Sequence, residues 1–190
     1  MDVVSVLMIM LNGIWLFIPA MVPNSAAALF GGGPTIDGGR KFRGRRIFGN
    51  GKTWKGFFAG ALVGIVTGII LIDIAYFFDP KDFWGYGPFW SNLGIVVCLS
   101  FGAVLGDLMG AFIKRRLGLK RGEKAPILDQ YDFVFGAFLV TAIFFPGWVY
   151  STYFDGWNIA ALLFLLLIMF AIHRLANIIG YKWGVKKEPW

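Results

Sequence analysis

Five stretches of this chain, residues 3–23, 56–78, 92–113, 133–150 and 157–179, are apolar over about the thickness of a bilayer. Nothing else in the sequence constrains the fold as strongly. A hydrocarbon core about 30 Å thick needs roughly 20 mostly apolar residues in a helix. The fourth stretch is the shortest and has room to extend at either end. Lipid offers no partner to backbone N–H and C=O groups, so each stretch is expected to be a helix. The reading is an all-α polytopic membrane protein with five transmembrane helices, forming a single integral-membrane domain over residues 1–190. Composition agrees. The chain is 57% hydrophobic and 15% charged, where soluble domains run at roughly 45–50% and about 25%, which excludes a water-soluble globule. Cys98 is the sole cysteine, so neither an intrachain disulfide nor a Cys-based zinc site is available. The first stretch has Asp2 where a signal peptide would carry basic residues, so it reads as a retained span.

The basic residues predict the topology. Of 18 Lys and Arg, seven lie in residues 24–55, six in 114–132 and four toward the C-terminus, leaving Lys81 alone on the other side. By the positive-inside rule the N-terminus is outside, the C-terminus is cytoplasmic, and 24–55 and 114–132 are two basic cytoplasmic loops. This places the protein in the cell (cytoplasmic) membrane as a multi-pass chain in contact with membrane lipids. The net charge of +7 suits anionic headgroups as well as topology. Nucleic acid is not an expected partner, because the cations have no separate soluble domain to carry them. The first loop is 32 residues rich in Gly, Pro and Arg, with Phe42, Ile47, Phe48 and Trp54 among them. A connector need not be so long, and its apolar and turn residues suit a loop that wraps a ligand.

Acids inside or beside the apolar stretches require explanation. Asp107 lies seven residues before Lys114 in the third stretch, roughly 10 Å below the cytoplasmic rim at helical rise. A charge there costs at least about 2.5 kcal/mol on insertion scales. Positions 107, 110, 111 and 114 share a helix face reading Asp, Gly, Ala, Lys. Small residues on that face also suit close helix packing. Asp129 and Asp132 follow Pro126, a residue suited to the first turn of the fourth helix, and fall three apart on one face. Complementing the helix dipole is one role for them. The other is to join Asp107 in a cleft where a cation relieves their repulsion. Oxygen ligands of this kind suit Mg²⁺, bound through a few carboxylates and substrate phosphates.

Gly51-Lys52-Thr53 looks like the end of a phosphate-binding loop, but Arg46 stands where the first glycine belongs and no strand precedes it. A Gly-Lys-Thr that opens a helix can still offer N–H groups and an ammonium to phosphate.

Two stretches carry a family resemblance. Gly51-Lys52-Thr53-Trp54-Lys55-Gly56-Phe57 resembles the Lys-Thr-Trp-Glu-Gly-Phe segment of the integral-membrane CDP-diacylglycerol synthases. Gly106-Asp107-Leu108, Lys114-Arg115, Gly118, Lys120 and Leu128-Asp129 with Asp132 resemble their signature. The departures are Lys55 for Glu, Ala111 for Ser, Arg121 for Asp, and the lack of a His-Gly-Gly element. Together with Pro19-Ala20, Asn24, the run Gly31 to Asp37 and Gly44-Arg45-Arg46, they are similar to the archaeal branch, the CDP-archaeol synthases.

The resemblance implies a cytidylyltransferase that moves CMP from CTP to an isoprenoid glycerol-ether phosphate and releases pyrophosphate. It also implies an active site facing the cytoplasm. CTP and the ether lipid are then the small-molecule partners, and Mg²⁺, alone or with a second cation, is the cofactor. A phosphate monoester has its second ionisation near 6, so no protein base is needed to form the nucleophile. Asp107, Asp129 and Asp132 are expected to hold the metal. Lys52, Lys114, Arg115, Lys120 and Lys124 are expected to offset the triphosphate, with Thr53 beside them. Asn24, Asp37, Arg45 and Arg46 are candidates for the lid, the lipid phosphate or the cytidine. Two rival functions remain open at this point: a CTP-dependent polyprenol or lipid kinase, and a cation channel or transporter lined by Asp107.

Overall fold

Two prolines shape the first apolar stretch. Helix α1 (Val3–Met21) contains Pro19, and Pro23 opens a second helix, α2 (Pro23–Leu29). Pro23 has no N–H to give to the carbonyl four residues earlier, which is that of Pro19, and the hydroxyl of Ser100 donates to it at 3.4 Å. This computed structural model describes residues 2–79, 82–120, 123 and 125–182.

A loop leads from α2 to α3 (Trp54–Phe78). It contains the hairpin of β1 (Lys41–Phe42) and β2 (Arg45–Arg46), turned through Arg43 and Gly44, both at positive φ. Two central residues with φ > 0 match the twist of a tight hairpin. Helix α4 (Phe89–Arg116) and helix α5 (Pro126–Phe144) follow, then the short α6 (Pro146–Tyr153), a 3₁₀ turn at Gly156–Asn158, and α7 (Ile159–Lys182). Four helical segments are long and apolar enough to cross a membrane, with α1 and α2 counted together. A fifth joins them if α6 and Gly156–Ile172, bent by 82°, are taken as one span. The all-α expectation holds apart from the hairpin.

Glycines set the helix spacing. On α3, Gly56, Gly60 and Gly64 recur every fourth residue, and a Cβ at each would run into the carbonyl of Ala27, Pro23 or Pro19. On α4, Gly102 and Gly106 face the backbone of α5 around Asp132, Gly136 and Ala137. Small residues at this period let two backbones approach closely, the principal source of helix association where lipid supplies no hydrophobic contrast. Among the described residues, the α4–α5 contact is the most extensive between two helices. Around it, Phe17 stacks on Phe138 at 5.1 Å, and the Tyr153 hydroxyl donates to the Gly13 carbonyl at 2.8 Å, tying α6 to α1.

The fourth helix runs earlier than the apolar stretch that predicts it. It spans 126–144 instead of 133–150, because Pro146 follows and its preceding residue Phe145 takes φ −133° and ψ 56°. Proline excludes the helical region for the residue before it. At the other end, Pro126 starts the helix in polar sequence, so Asp129 and Asp132 belong to its first turns.

Candidate functional site

The site is built at the end where α2, α3, α4 and α5 meet the two basic loops. Thr53 is the N-cap of α3. Its hydroxyl oxygen accepts from the N–H of Gly56 at 3.1 Å and of Gly32 at 3.2 Å. The N–H of Ile36 donates to the carbonyl of Lys52 at 2.9 Å, and that of Trp54 to Pro34 at 3.2 Å. These bonds fold residues 34–36 back along 52–54 and fix Lys52 one residue ahead of the cap. From there its ammonium reaches the Asp107 carboxylate on α4. A cavity of about 110 Å³ opens beside this pair, lined by Asn24, Ala27 and Ala28 of α2, Ile36, Gly51, Lys52 and Thr53 of the loop, Gly56 and Phe57 of α3, and Val104, Asp107 and Leu108 of α4.

Asp37 organises the rest of the loop. It is 4% exposed, and its oxygens take Arg46 Nη2 at 2.5 Å and Nε at 3.1 Å, with the N–H groups of Gly39, Phe48 and Gly49 at 3.0–3.2 Å. Gly39 and Gly49 are at positive φ, which lets their N–H groups turn inward to the carboxylate. The Arg46 guanidinium holds the Asp37 carboxyl well below the usual carboxylate range. The three N–H groups add to that effect, and burial opposes it. Arg46 also donates to Asn50 and Thr35.

Two arginines lock this loop onto α4. Arg45 donates to the carbonyl of Arg116 at 2.8 Å, satisfying the helix end. In return, Arg116 donates to the carbonyls of Phe42, Arg45 and Arg46 and lies 5.2 Å over the rings of Phe42 and Phe112. Arg116 is the residue that sequence reasoning passed over. Its position in Lys114-Arg115-Arg116 was visible, but the carbonyls it collects come from residues about 70 positions earlier.

Across the second loop, Lys114 in the last turn of α4 pairs with Asp129 Oδ1 in the first turn of α5, and the other Asp129 oxygen accepts from the N–H of Ala125 at 3.0 Å. Asp132 is 9% exposed and presses against Gly110 and Gly106 of α4, one turn from Asp107, whose charge acts on it together with those of Lys114 and Lys52. Arg115 donates to the Leu119 carbonyl, and Lys120 is exposed, with its N–H given to Glu123 at 2.8 Å. Lys124 lies outside the described residues.

The structure therefore gathers Asn24, Lys52, Thr53 and Asp107 in one cavity, sets Asp132, Asp129 and Lys114 beside it on the α4–α5 face, and uses Asp37, Arg45 and Arg46 to hold the loop. Among the described residues, no three carboxylate, imidazole or thiolate groups close into a ready-made metal cluster. Asp107 and Asp132 are near enough for the charge of one to act on the other, and carboxylate oxygens are the donor type that suits a hard dication. Mg²⁺ is commonly bound through one or two carboxylates together with substrate phosphates, and the lysine ammoniums now balance the charge such an ion would meet.

Comparison with known proteins gives a consistent answer. A family model described as CarS-like, CDP-archaeol synthase, matches residues 6–190. The CDP-archaeol synthase of Methanoculleus marisnigri is 47% identical over 174 residues, covering 91% of this chain and 99% of the relative. That of Methanosarcina mazei is 43% identical, with 91% and 99% covered. That of Picrophilus torridus is 39% identical, with 98% and 100% covered. A solved intramembrane enzyme for archaeal membrane lipids biosynthesis superposes with a TM-score of 0.66 at 30% identity, covering 89% of this chain and 94% of that one.

Proposed function

The chain belongs to the CarS-like family of CDP-archaeol synthases, and on that premise we propose that it transfers CMP from CTP to an isoprenoid glycerol-ether phosphate at the loop-covered end of its helix bundle. One observation carries the site assignment: Lys52 and Asp107, 55 residues apart in the chain, meet in a single cavity bounded by four structural elements.

The lipid phosphate attacks the α-phosphorus of CTP, forming the new P–O bond as the bond to pyrophosphate breaks. The protein's task is to align two polyanions and offset their charge. Lys52, fixed by the α3 cap, turns from Asp107 to the triphosphate. Lys114, at the end of α4, does the same from Asp129 toward the leaving pyrophosphate. Arg115 adds charge beside it, as Lys120 does from the second loop, and Lys124 is a further candidate by its place in the sequence. Thr53 supports this geometry through the backbone it caps. Asp107 and Asp132, with Asp129 at the rim, would hold Mg²⁺, which when bound neutralises part of the phosphate charge. Arg45, Arg46 and Asp37 keep the first loop seated over the site.

The gathering of both basic loops at one end of the bundle supports a cytoplasmic site under the positive-inside rule, and with it a place in the cell membrane. That arrangement lets CTP arrive from water while the lipid tails stay in the inner leaflet. The test uses purified protein in detergent with α-³²P-labelled CTP and diether lipid phosphate, with and without chelator. Label is expected in the lipid only when Mg²⁺ is supplied. A parallel reaction with γ-³²P-labelled CTP that labels the lipid, while the α-label does not, would identify a kinase and overturn the reading.

A further inference from the structure

Residues 24–55 contain seven cations, and they divide into two groups. Arg45, Arg46 and Lys52 turn inward to the end of α4, Asp37 and Asp107. Arg40, Lys41, Arg43 and Lys55 are exposed, and among the described residues the ion pairs of this segment involve only Arg46 and Lys52. Topology asks for cations on one side of the membrane, not for a fixed arrangement of them. Here three of the outward four stand on a fixed hairpin. The Arg40 N–H donates to the Asp37 carbonyl at 2.8 Å, and the Arg40 carbonyl accepts from the N–H of Ile47 at 3.2 Å. Arg43 occupies the tip at φ 50°, where Gly or Asn is the usual choice. Strain of this kind, retained for a long cationic side chain, points to a role for the charge it presents.

The hairpin is held at the apolar rim of the bundle. The Phe42 and Phe112 rings flank the Arg116 guanidinium, each centroid 5.2 Å from it. Next to Phe112, Ile113 is the last apolar residue of α4 and is 40% exposed. Lys55 marks the corresponding level on α3. It heads a stripe of exposed apolar residues, Phe58, Leu62, Val66 and Ile69, that share one helix face. A stripe like this meets lipid tails, which sets the ammonium at its head among the headgroups.

We propose that the hairpin of residues 40–44, together with Lys55, is a docking surface for the anionic phosphate headgroups of the leaflet it borders, and that it gathers anionic lipid around the chain. Phe42, 49% exposed between Lys41 and Arg43, adds an apolar contact suited to the boundary between headgroups and tails. The proposal concerns the lipids that surround the chain and does not rest on the reaction assigned above.

The experiment reconstitutes the full chain in neutral diether phosphocholine bilayers with trace spin-labelled lipid, bearing either an anionic phosphoglycerol or a neutral phosphocholine headgroup. The immobilised fraction of each label gives an anionic-to-neutral association ratio. Wild type is compared with the variant carrying Arg40→Gln, Lys41→Gln, Arg43→Gln and Lys55→Gln, and with Lys182→Gln, which removes an exposed cation on α7. One Lys or Arg near an anionic surface changes affinity by roughly fivefold, so the wild-type ratio is expected to be about 5 or more. The fourfold variant should lower it by at least about threefold, and Lys182→Gln should leave it unchanged. In about 1 M salt, where charges are screened beyond about 3 Å, the wild-type ratio should fall toward unity. A wild-type ratio near unity, or one indifferent to salt, overturns the proposal without recourse to any variant. So does a fourfold variant that keeps the wild-type ratio, or an equal loss in Lys182→Gln. Inorganic pyrophosphate at matched ionic strength should leave the ratio unchanged; if it abolishes the preference, the surface serves soluble phosphates and the proposal fails. Nucleotide transfer is not read at any step, so each of these failures leaves the cytidylyltransferase reading untouched.

Discussion

Asp37 and Asp107 each meet a cation, and the two pairs are built on opposite plans. Asp37 has no side-chain exposure and gives its oxygens to two nitrogens of Arg46 and three backbone N–H groups. Its hydrogen-bonding capacity is spent. Lys52 and Asp107 share a single contact with side chains 26% and 21% exposed, and Lys114 and Asp129 are similar at 20% and 31%. A buried carboxylate whose oxygens are all engaged resists separation from its donors, because losing them strands its charge. A single-contact pair whose side chains keep 20–31% of their surface exposed is less constrained and can exchange one partner for another. One region thus holds the loop in place, and the other leaves its charges free to change partners, as the proposed binding of a triphosphate requires.

The largest effect should come from the exchangeable region and should fall on turnover alone. Asp107→Asn keeps the shape of the side chain and removes its charge. It is expected to lower kcat/KM by about 100-fold or more, while helical content and elution from a sizing column stay at wild-type values. Near-normal labelling of lipid by this variant would remove Asp107 from the reaction. Asp132→Asn is expected to behave alike, since its carboxylate lies against the same face of α4.

The saturated pair should respond in the reverse manner. Asp37→Ala leaves Arg46 and three N–H groups without their acceptor, at a cost of about 3 kcal/mol on the scale for broken buried pairs. The first loop should become protease-sensitive, and KM for CTP should rise by more than kcat falls. Acid offers a gentler probe of the same contact. The folded Asp37 carboxyl titrates below its unfolded value, because Arg46 and the N–H groups of Gly49, Phe48 and Gly39 favour its charged form. Its contribution to stability is therefore complete above the unfolded value of about 3.9. It is lost only as pH falls below that value toward the folded one. Amide protection in residues 36–50, corrected for intrinsic exchange, should be flat from neutrality to about pH 5 and weaken only in stronger acid. Loss of protection already at pH 6 would show that Asp37 is not the group that holds the loop.

Much of this contrast could not be read from the chain. The spans were legible because lipid imposes helices on apolar runs of that length, and Asp107 stood out because a charge at that depth is costly. Pro126 correctly marked the start of α5, and Pro146 carried the signal for its end. The glycine ladders, 56-60-64 and 102-106, were also present as a four-residue period. What they pack against was not, since their partners are backbone atoms of other helices, the carbonyls of Pro19, Pro23 and Ala27 for the first ladder and the α5 backbone around Asp132, Gly136 and Ala137 for the second. Asp37 resembled a ligand residue for the same reason: its partners are backbone N–H groups whose convergence depends on positive φ at Gly39 and Gly49. Arg116 shows the limit most clearly. Its function is to gather three carbonyls of the first loop, and nothing local to Lys114-Arg115-Arg116 announces where that loop lies.

The smallest effect should come from Lys114→Gln, and it sharpens the comparison because it removes a charge without stranding a deeply buried one. Asp129 keeps the N–H of Ala125 on one oxygen and stays 31% exposed, so water takes the place of the ammonium. The stability change should stay below about 1 kcal/mol. If Lys114 is held in reserve for phosphate, KM for CTP should rise several-fold, and the penalty should shrink as salt is added, since the attraction is screened beyond about 10 Å at 0.1 M ionic strength. An Arg46→Gln variant measured alongside should show the opposite balance, a large loss of loop protection with little dependence on salt. If both variants instead lost stability equally and neither responded to salt, the two kinds of ion pair would be one kind, and the division between holding and exchanging charges would fail.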